Sequence, residues 1–265
     1  MILTLLRRQL RQHAILLGSL SLGLVLFEWA IVWVAAIIDL GPGFQDLLSA
    51  FLPRNVVDSL LGQFGFATFG GALSFGFQHP LSFTVAIAMV VVMSTLPAAE
   101  REAGLLDLIL ARPLPRHRYL AAALIGVVAT ALLSPVALLA GSAVGLTTVD
   151  APQPVSWADY LPSAVGLFLV LLVIGTCGLL FATQSRRRGQ AVAQLLGLTL
   201  VCYWLDFMGD YWDALETARL VSPFHYFEPA LAATDGLPGR HVLILLSIAV
   251  VCTVGAFLNF RRQDL

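Results

Sequence analysis

The stretch LLGQFGFATFGGALSFGF (residues 60–77), running directly into QHPLSFTVAIAMVVVMSTLP (residues 78–97), decides the fold. Both pieces are apolar, and whether they cross a membrane once or twice fixes the side on which everything downstream lies. Two crossings would leave only Gln78, His79 and Pro80 to turn the chain, and would carry the charged stretch from Glu100 to Arg118 to the outer side. One crossing, by residues 81–97, keeps that stretch inside. Residues 60–77 then lie on or dip into the outer face, their glycines allowing close packing.

Five further segments approach or exceed the roughly 20 apolar residues that cover a bilayer's hydrocarbon: 14–38, 119–146, 161–182, 190–207 and 241–260. With six crossings and both termini inside, twelve arginines face the cytoplasm: Arg7, Arg8, Arg11, Arg101, Arg112, Arg116, Arg118, Arg186, Arg187, Arg188, Arg261 and Arg262. Only Arg54, Arg219 and Arg240 are left outside. A bias of that size is the positive-inside pattern of an integral membrane protein. Asp46, Asp58, Asp150, Asp159, Asp210, Asp213, Glu216 and Asp235 sort to the opposite side, in agreement.

Composition says the same. The 265 residues are 58% hydrophobic and 12% charged, with a mean hydropathy of +0.87. Soluble domains carry about 25% charged residues, so a water-facing enzyme is excluded and an all-α integral membrane protein is expected. All 15 basic residues are arginine. A P-loop needs its lysine on the nucleotide phosphates, so the chain is no conventional P-loop ATPase, and Schiff-base chemistry falls with it. A net charge of −1 gives no footprint for nucleic acid. Cys177, Cys202 and Cys252 sit in apolar runs without zinc-site spacing, and read as small buried residues.

Three segments outside the spans invite a role. Residues 1–13 (MILTLLRRQLRQH) place Ile2, Leu3, Leu5, Leu6 and Leu10 on one side of a helix and Arg7, Arg8 and Arg11 on the other. That predicts an amphipathic interfacial helix ahead of the first span. It serves as an anchor or as an elbow touching a cytoplasmic partner. Between the second and third spans, STLPAAEREAGLLDLILARPLPRHRYL (residues 94–120) predicts a short helix with Leu105, Leu108 and Ile109 on one face. Pro113 and Pro115 end it. So short a helix is not stable alone and must dock on something. The Arg186-Arg187-Arg188 loop sets topology or makes a second, smaller contact.

The run from Glu100-Arg101-Glu102-Ala103-Gly104 through Leu105 and Leu108 to Arg112-Pro113-Leu114-Pro115-Arg116 resembles the cytoplasmic signature of ABC exporter permeases of the type-2 class, the type V fold. Ser222-Pro223-Phe224-His225-Tyr226 and the ending Phe260-Arg261-Arg262-Gln263-Asp264-Leu265 are similar to that family too. The resemblance covers the whole chain. It implies one permease domain, residues 1–265, with a cytoplasmic coupling segment at 98–118 and outer re-entrant helices at 208–240 before the last span. It also implies a bacterial inner-membrane protein without a nucleotide-binding domain. Such a chain works beside a second copy or a sister permease, with ATP and Mg held by a separate ABC ATPase subunit. Glu100, Glu102, Leu105, Leu108 and Arg112 are then the candidates for ATPase contact. Asp210, Asp213, Glu216 and Glu228 are candidates for an acidic outer gate.

Glu28, flanked by Trp29, sits at the centre of the first span. A carboxyl group at that depth is by default a functional-site candidate. It lines the substrate pathway or the dimer seam, or it bonds to a Ser or Thr of a neighbouring span for structure alone. Asp206 lies at the outer end of the fifth span, within reach of water, and Pro135 predicts a kink in the third. Two other classes compete with transport. An intramembrane enzyme would need convergent groups at depth, yet the five histidines read as lying at or beyond span ends. A non-transporting assembly or sensor subunit would dock an ATPase without moving substrate, and proteoliposome flux separates it from an exporter.

Overall fold

The structure, a computed structural model, describes residues 2–37, 49–51, 68–110, 115–209 and 212–262. Six stretches among them are helices long and apolar enough to cross a membrane: Leu3–Ile37, Phe69–Ser94, Arg116–Thr148, Trp157–Gln184, Arg188–Gly209 and Gly239–Arg262. With six apolar spans, this is a multi-pass membrane protein.

The first span is longer than expected. Helix α1, Ile2–Ile37, runs through residue 13 without a turn, so the described part of residues 1–13 is helical and continuous with the first span. Nothing in Leu3–Leu17 breaks a helix: the segment holds neither proline nor glycine, and Gly18 is met inside the span. At 1.5 Å per residue α1 is about 54 Å long, well beyond about 30 Å of hydrocarbon. That length leaves room outside the hydrocarbon for its first turns, which carry Arg7, Arg8 and Arg11.

The second span also differs. The described part of residues 60–77 is helix α2, Phe69–Gln78, capped by Thr68 Oγ1 accepting from Gly71 N at 3.0 Å. It continues through one joint, His79, into α3, Pro80–Ser94. Pro80 cannot donate, so a carbonyl on the preceding turn loses its helical partner. Ser82 Oγ donates to Gly76 O at 2.5 Å and to His79 O at 2.9 Å, replacing what the proline removed. Phe69, Leu73 and Phe77 of α2 are buried in the same core as α1, so this stretch is part of the bundle. His79 accordingly lies within the second span and not at its end.

Past α3 come two short helices, α4 (Leu96–Glu102) and α5 (Leu105–Leu110), then the long α6 (Arg116–Thr148). Helix α6 remains helical through Pro135. Helix α7 (Leu161–Gln184) follows a 3-10 turn at Trp157–Tyr160, and α8 (Arg188–Gly209) follows α7. Short helices α9 (Asp213–Arg219) and α10 (Pro229–Asp235) flank a second 3-10 turn, Pro223–Tyr226, before the last span, α11 (Gly239–Arg262).

Helix α7 is the hub, buried along most of its length, whereas α8 is peripheral and mostly uncovered. Helices α1 and α6 lie closely together, as do α7 and α11. On α6, a Cβ added at Gly145 would come within 2.7 Å of Val32, so glycine sets that helix spacing.

Candidate functional site

At the arginine-rich end, three consecutive charged residues of α4 each bond to a different helix. Glu100 is buried, and Tyr119 at the start of α6 donates its hydroxyl to Glu100 Oε2 at 2.5 Å. Arg101 Nη1 donates to Ser185 O at 2.7 Å and to Thr183 O at 3.3 Å, at the carboxyl end of α7. Glu102 Oε2 accepts from the backbone N of Arg188 at 2.9 Å, at the amino end of α8. A guanidinium on the last carbonyls of one helix and a carboxylate on the first amide of the next both complement the helix dipoles. Arg188 closes the ring by donating Nε to Thr95 Oγ1 at 3.3 Å.

Tyr119 is itself fixed from both sides. Its ring stacks on Phe260 of α11, centroids 5.8 Å apart, inside a cluster with Leu106, Leu120, Ala123, Leu179 and Ala256. Gly104, at φ +66°, makes the turn from α4 into α5, a backbone conformation that favours glycine. The turn sends Leu106 inward to full burial while Leu105 and Leu108 stand 39% and 68% exposed.

The expected contact residues thus separate. Leu105 and Leu108 face outward, as does Glu102, whose carboxylate is bonded within the chain. Glu100 points into the bundle, where the Tyr119 hydroxyl holds it. Arg112 lies outside the described residues. Sequence reading passed over Arg101 and Tyr119, because nothing local tells which helix ends an arginine or a span-initiating tyrosine will meet.

Glu28 is fully buried between α1, α2 and α6. Ser142 Oγ donates to its Oε1 at 3.0 Å, while Oε2 has no hydrogen-bond partner among the described residues. Its enclosure depends on glycine: a Cβ at Gly76 would fall inside the carboxyl group, and one at Gly141 would come within 2.7 Å of Glu28 Cβ. At the next residue of α1, Trp29 Nε1 donates to Thr148 Oγ1 at 3.2 Å, tying α1 and α6 together.

At the opposite end, the Ser222–Tyr226 motif is a folding device. Ser222 Oγ accepts from Phe224 N at 3.2 Å and donates to Cys202 O at 2.8 Å, and Tyr226 donates its hydroxyl to Leu220 O at 2.7 Å. Arg219 Nε donates to His225 Nδ1 at 3.0 Å and lies 3.7 Å from Asp206 Oδ1, so Asp206 is partnered by protein. Ser163 Oγ of α7 donates to Pro229 O at 2.7 Å, pinning α10 onto the bundle. Of the four gate candidates, Glu216 on α9 and Glu228 at the cap of α10 are exposed. Asp213 opens α9, and Asp210 lies outside the described residues.

No curated protein matches the chain. A family model does, over residues 18–261, from within the first span to the penultimate residue of the last. Its description is multidrug efflux system permease Rv1217c, C-terminal domain. A six-span bundle with charged clamps at one end and short capping helices at the other is therefore a member of that multidrug efflux permease family.

Proposed function

We propose that the chain is the permease subunit of an ATP-driven exporter in the bacterial inner membrane, of the type-2 class with the type V fold. It forms the substrate pathway with a second copy or a sister permease. It hydrolyses nothing itself, and ATP and Mg bind to a separate ABC ATPase subunit on the arginine-rich, cytoplasmic side. The lipid bilayer is its other partner, and nucleic acid is not one.

The observation that carries this reading is the split within residues 100–108. Glu100, Arg101 and Glu102 hold α4 rigidly to α6, α7 and α8, while Leu105 and Leu108 are left uncovered on α5. Exposed leucines on a short helix outside the apolar slab are a patch for a protein partner. The clamp behind them lets a push on α5 reach three spans at once. Glu102, at the clamp's surface, and Arg112 complete the contact, and Glu100 acts from behind through Tyr119.

In the same reading Glu28 meets a cationic substrate when α1 and α2 part from α6, and the enclosed carboxyl is the resting arrangement. Asp210, Asp213, Glu216 and Glu228 make an acidic outer exit on the re-entrant segment 208–240.

The test is affinity purification of the tagged chain from native membranes in mild detergent. A Walker-A ATPase recovered with wild type and lost with Leu108→Asp supports the reading. Because Leu108 is 68% exposed, the variant keeps the wild-type melting temperature. No ATPase with a folded wild-type protein, or undiminished recovery with Leu108→Asp, overturns it.

A further inference from the structure

Cys177 of α7 and Cys252 of α11 face each other with their sulfurs 3.2 Å apart. The contact belongs to a continuous seam. One turn further along both helices, Gly255 packs against Leu180, and beyond that Asn259 Nδ2 donates to Thr183 Oγ1 at 3.4 Å. The two helices therefore run side by side in the same direction and in one register, with the thiols at matched positions. Both cysteines are free and half-buried, and Val250, Val251 and Val254 beside them on α11 are exposed on the apolar surface. A small reagent dissolved in the membrane reaches the pair from there, whereas charged water-borne thiols and oxidants do not.

Nothing in the clamp, the Glu28 enclosure or the capping helices uses these thiols. A disulfide needs its sulfurs about 2 Å apart. From 3.2 Å that distance is closed by side-chain rotation and a small adjustment of the seam, without separating or unwinding either helix. We propose that Cys177 and Cys252 are a redox modification site, which a lipid-soluble two-electron oxidant converts into an intramolecular disulfide stapling α7 to α11.

The chemistry balances with an uncharged azodicarboxamide such as diamide. The first thiol adds across the N=N bond, its sulfur and its hydrogen going to the two nitrogens. The second thiol then attacks that sulfur: the S–S bond forms, the S–N bond breaks, and the hydrazine leaves carrying both hydrogens. The protein loses two electrons and two protons, and the reagent gains them. The closed loop contains α8, α9 and α10, so the staple links the hub helix to the last span across the whole outer cap.

The test treats the full chain, in detergent and in lipid nanodiscs, with diamide. Free thiols are then counted under denaturing conditions, and the linked peptides are identified without reductant. Wild type has three cysteines and is expected to fall to one free thiol, with Cys177 and Cys252 in a single linked peptide pair. Cys202→Ser should fall from two free thiols to none, while Cys177→Ser and Cys252→Ser keep both of theirs. Trypsin cuts at the exposed Arg186, Arg187 and Arg240, all between the two cysteines, so oxidised fragments stay joined until a reductant is added. An unchanged wild-type thiol count overturns the proposal, as does a bridge that includes Cys202 or joins two chains. The wild-type mapping needs no variant to fold, so the proposal stands or falls on it alone.

Discussion

Replacing Tyr119 by Phe removes one oxygen from the centre of the clamp and leaves the rest of the ring in place. The stack on Phe260 and the surrounding cluster persist, because neither uses the hydroxyl. What is lost is the donor to Glu100, which is buried, at 6% exposure. A hydrogen bond to a charged group contributes about 1.5–3 kcal/mol, and a buried acceptor left unpaired costs a similar amount. At about 2–4 °C per kcal/mol for a chain of this size, Tyr119→Phe should lower the melting temperature by roughly 3–12 °C. Glu100→Gln keeps an amide oxygen for the tyrosine to donate to and should cost less. The double variant should be more stable than the sum of the two single losses implies, since the residues contact each other directly. The assay is thermal unfolding of the three purified variants in one detergent, followed by tryptophan fluorescence. If Tyr119→Phe melts with wild type, or if the two losses simply add, the pair does not hold α4 to α6 and the clamp argument fails at its central bond.

Two predictions concern other residues. Gly141→Ala drives a methyl to within 2.6 Å of Val25 O and 2.7 Å of Glu28 Cβ, forcing α1 from α6, and should cost about 1–3 kcal/mol. Gly197→Ala on α8 meets nothing within 4 Å and should be neutral or stabilising by up to about 1 kcal/mol; equal melting of the two variants would refute the packing account. Glu102→Ala removes the carboxylate from the start of α8. Because Glu102 is exposed, the stability loss should be under about 1 kcal/mol, while ATPase-coupled transport in proteoliposomes drops. A large melting loss with normal transport would make Glu102 a purely structural cap.

Much of the architecture is legible in a linear reading, because a bilayer imposes one-dimensional rules. About 20 apolar residues make a span and arginines stay on one side, so the six crossings and the two polar ends follow from composition along the chain. The boundaries were harder. Residues 1–13 carry an amphipathic pattern, but amphipathicity does not say where a helix bends. With no breaker before Gly18, the helix continues. The glycines of residues 60–77 suggested a surface segment, but Phe69, Leu73 and Phe77 find partners in the core and make that piece part of the second span.

The candidate site divides in the same way. Glu28 stands out in sequence because charge at membrane depth is conspicuous, yet which hydroxyl meets it depends on α1 and α6 lying in one register, which places Ser142 opposite. Glu100 and Glu102 look equivalent in sequence, two residues apart on one short helix. Their different fates, one buried against Tyr119 and one capping α8, arise from which helix ends the folded bundle brings to each side of α4.

Hydropathy and charge, which act on each residue alone, are what the sequence by itself determined: a membrane protein, its crossings, its arginine-rich end and the absence of a P-loop lysine. Pairings between residues far apart in the chain were decided only by the tertiary structure: Tyr119 with Glu100, Arg101 with the end of α7, Glu28 with Ser142, Cys177 with Cys252. Each depends on the packing distance and register of two helices. Those are set by small residues such as Gly76, Gly141, Gly145 and Gly255 at the contacts, through the side chains they lack.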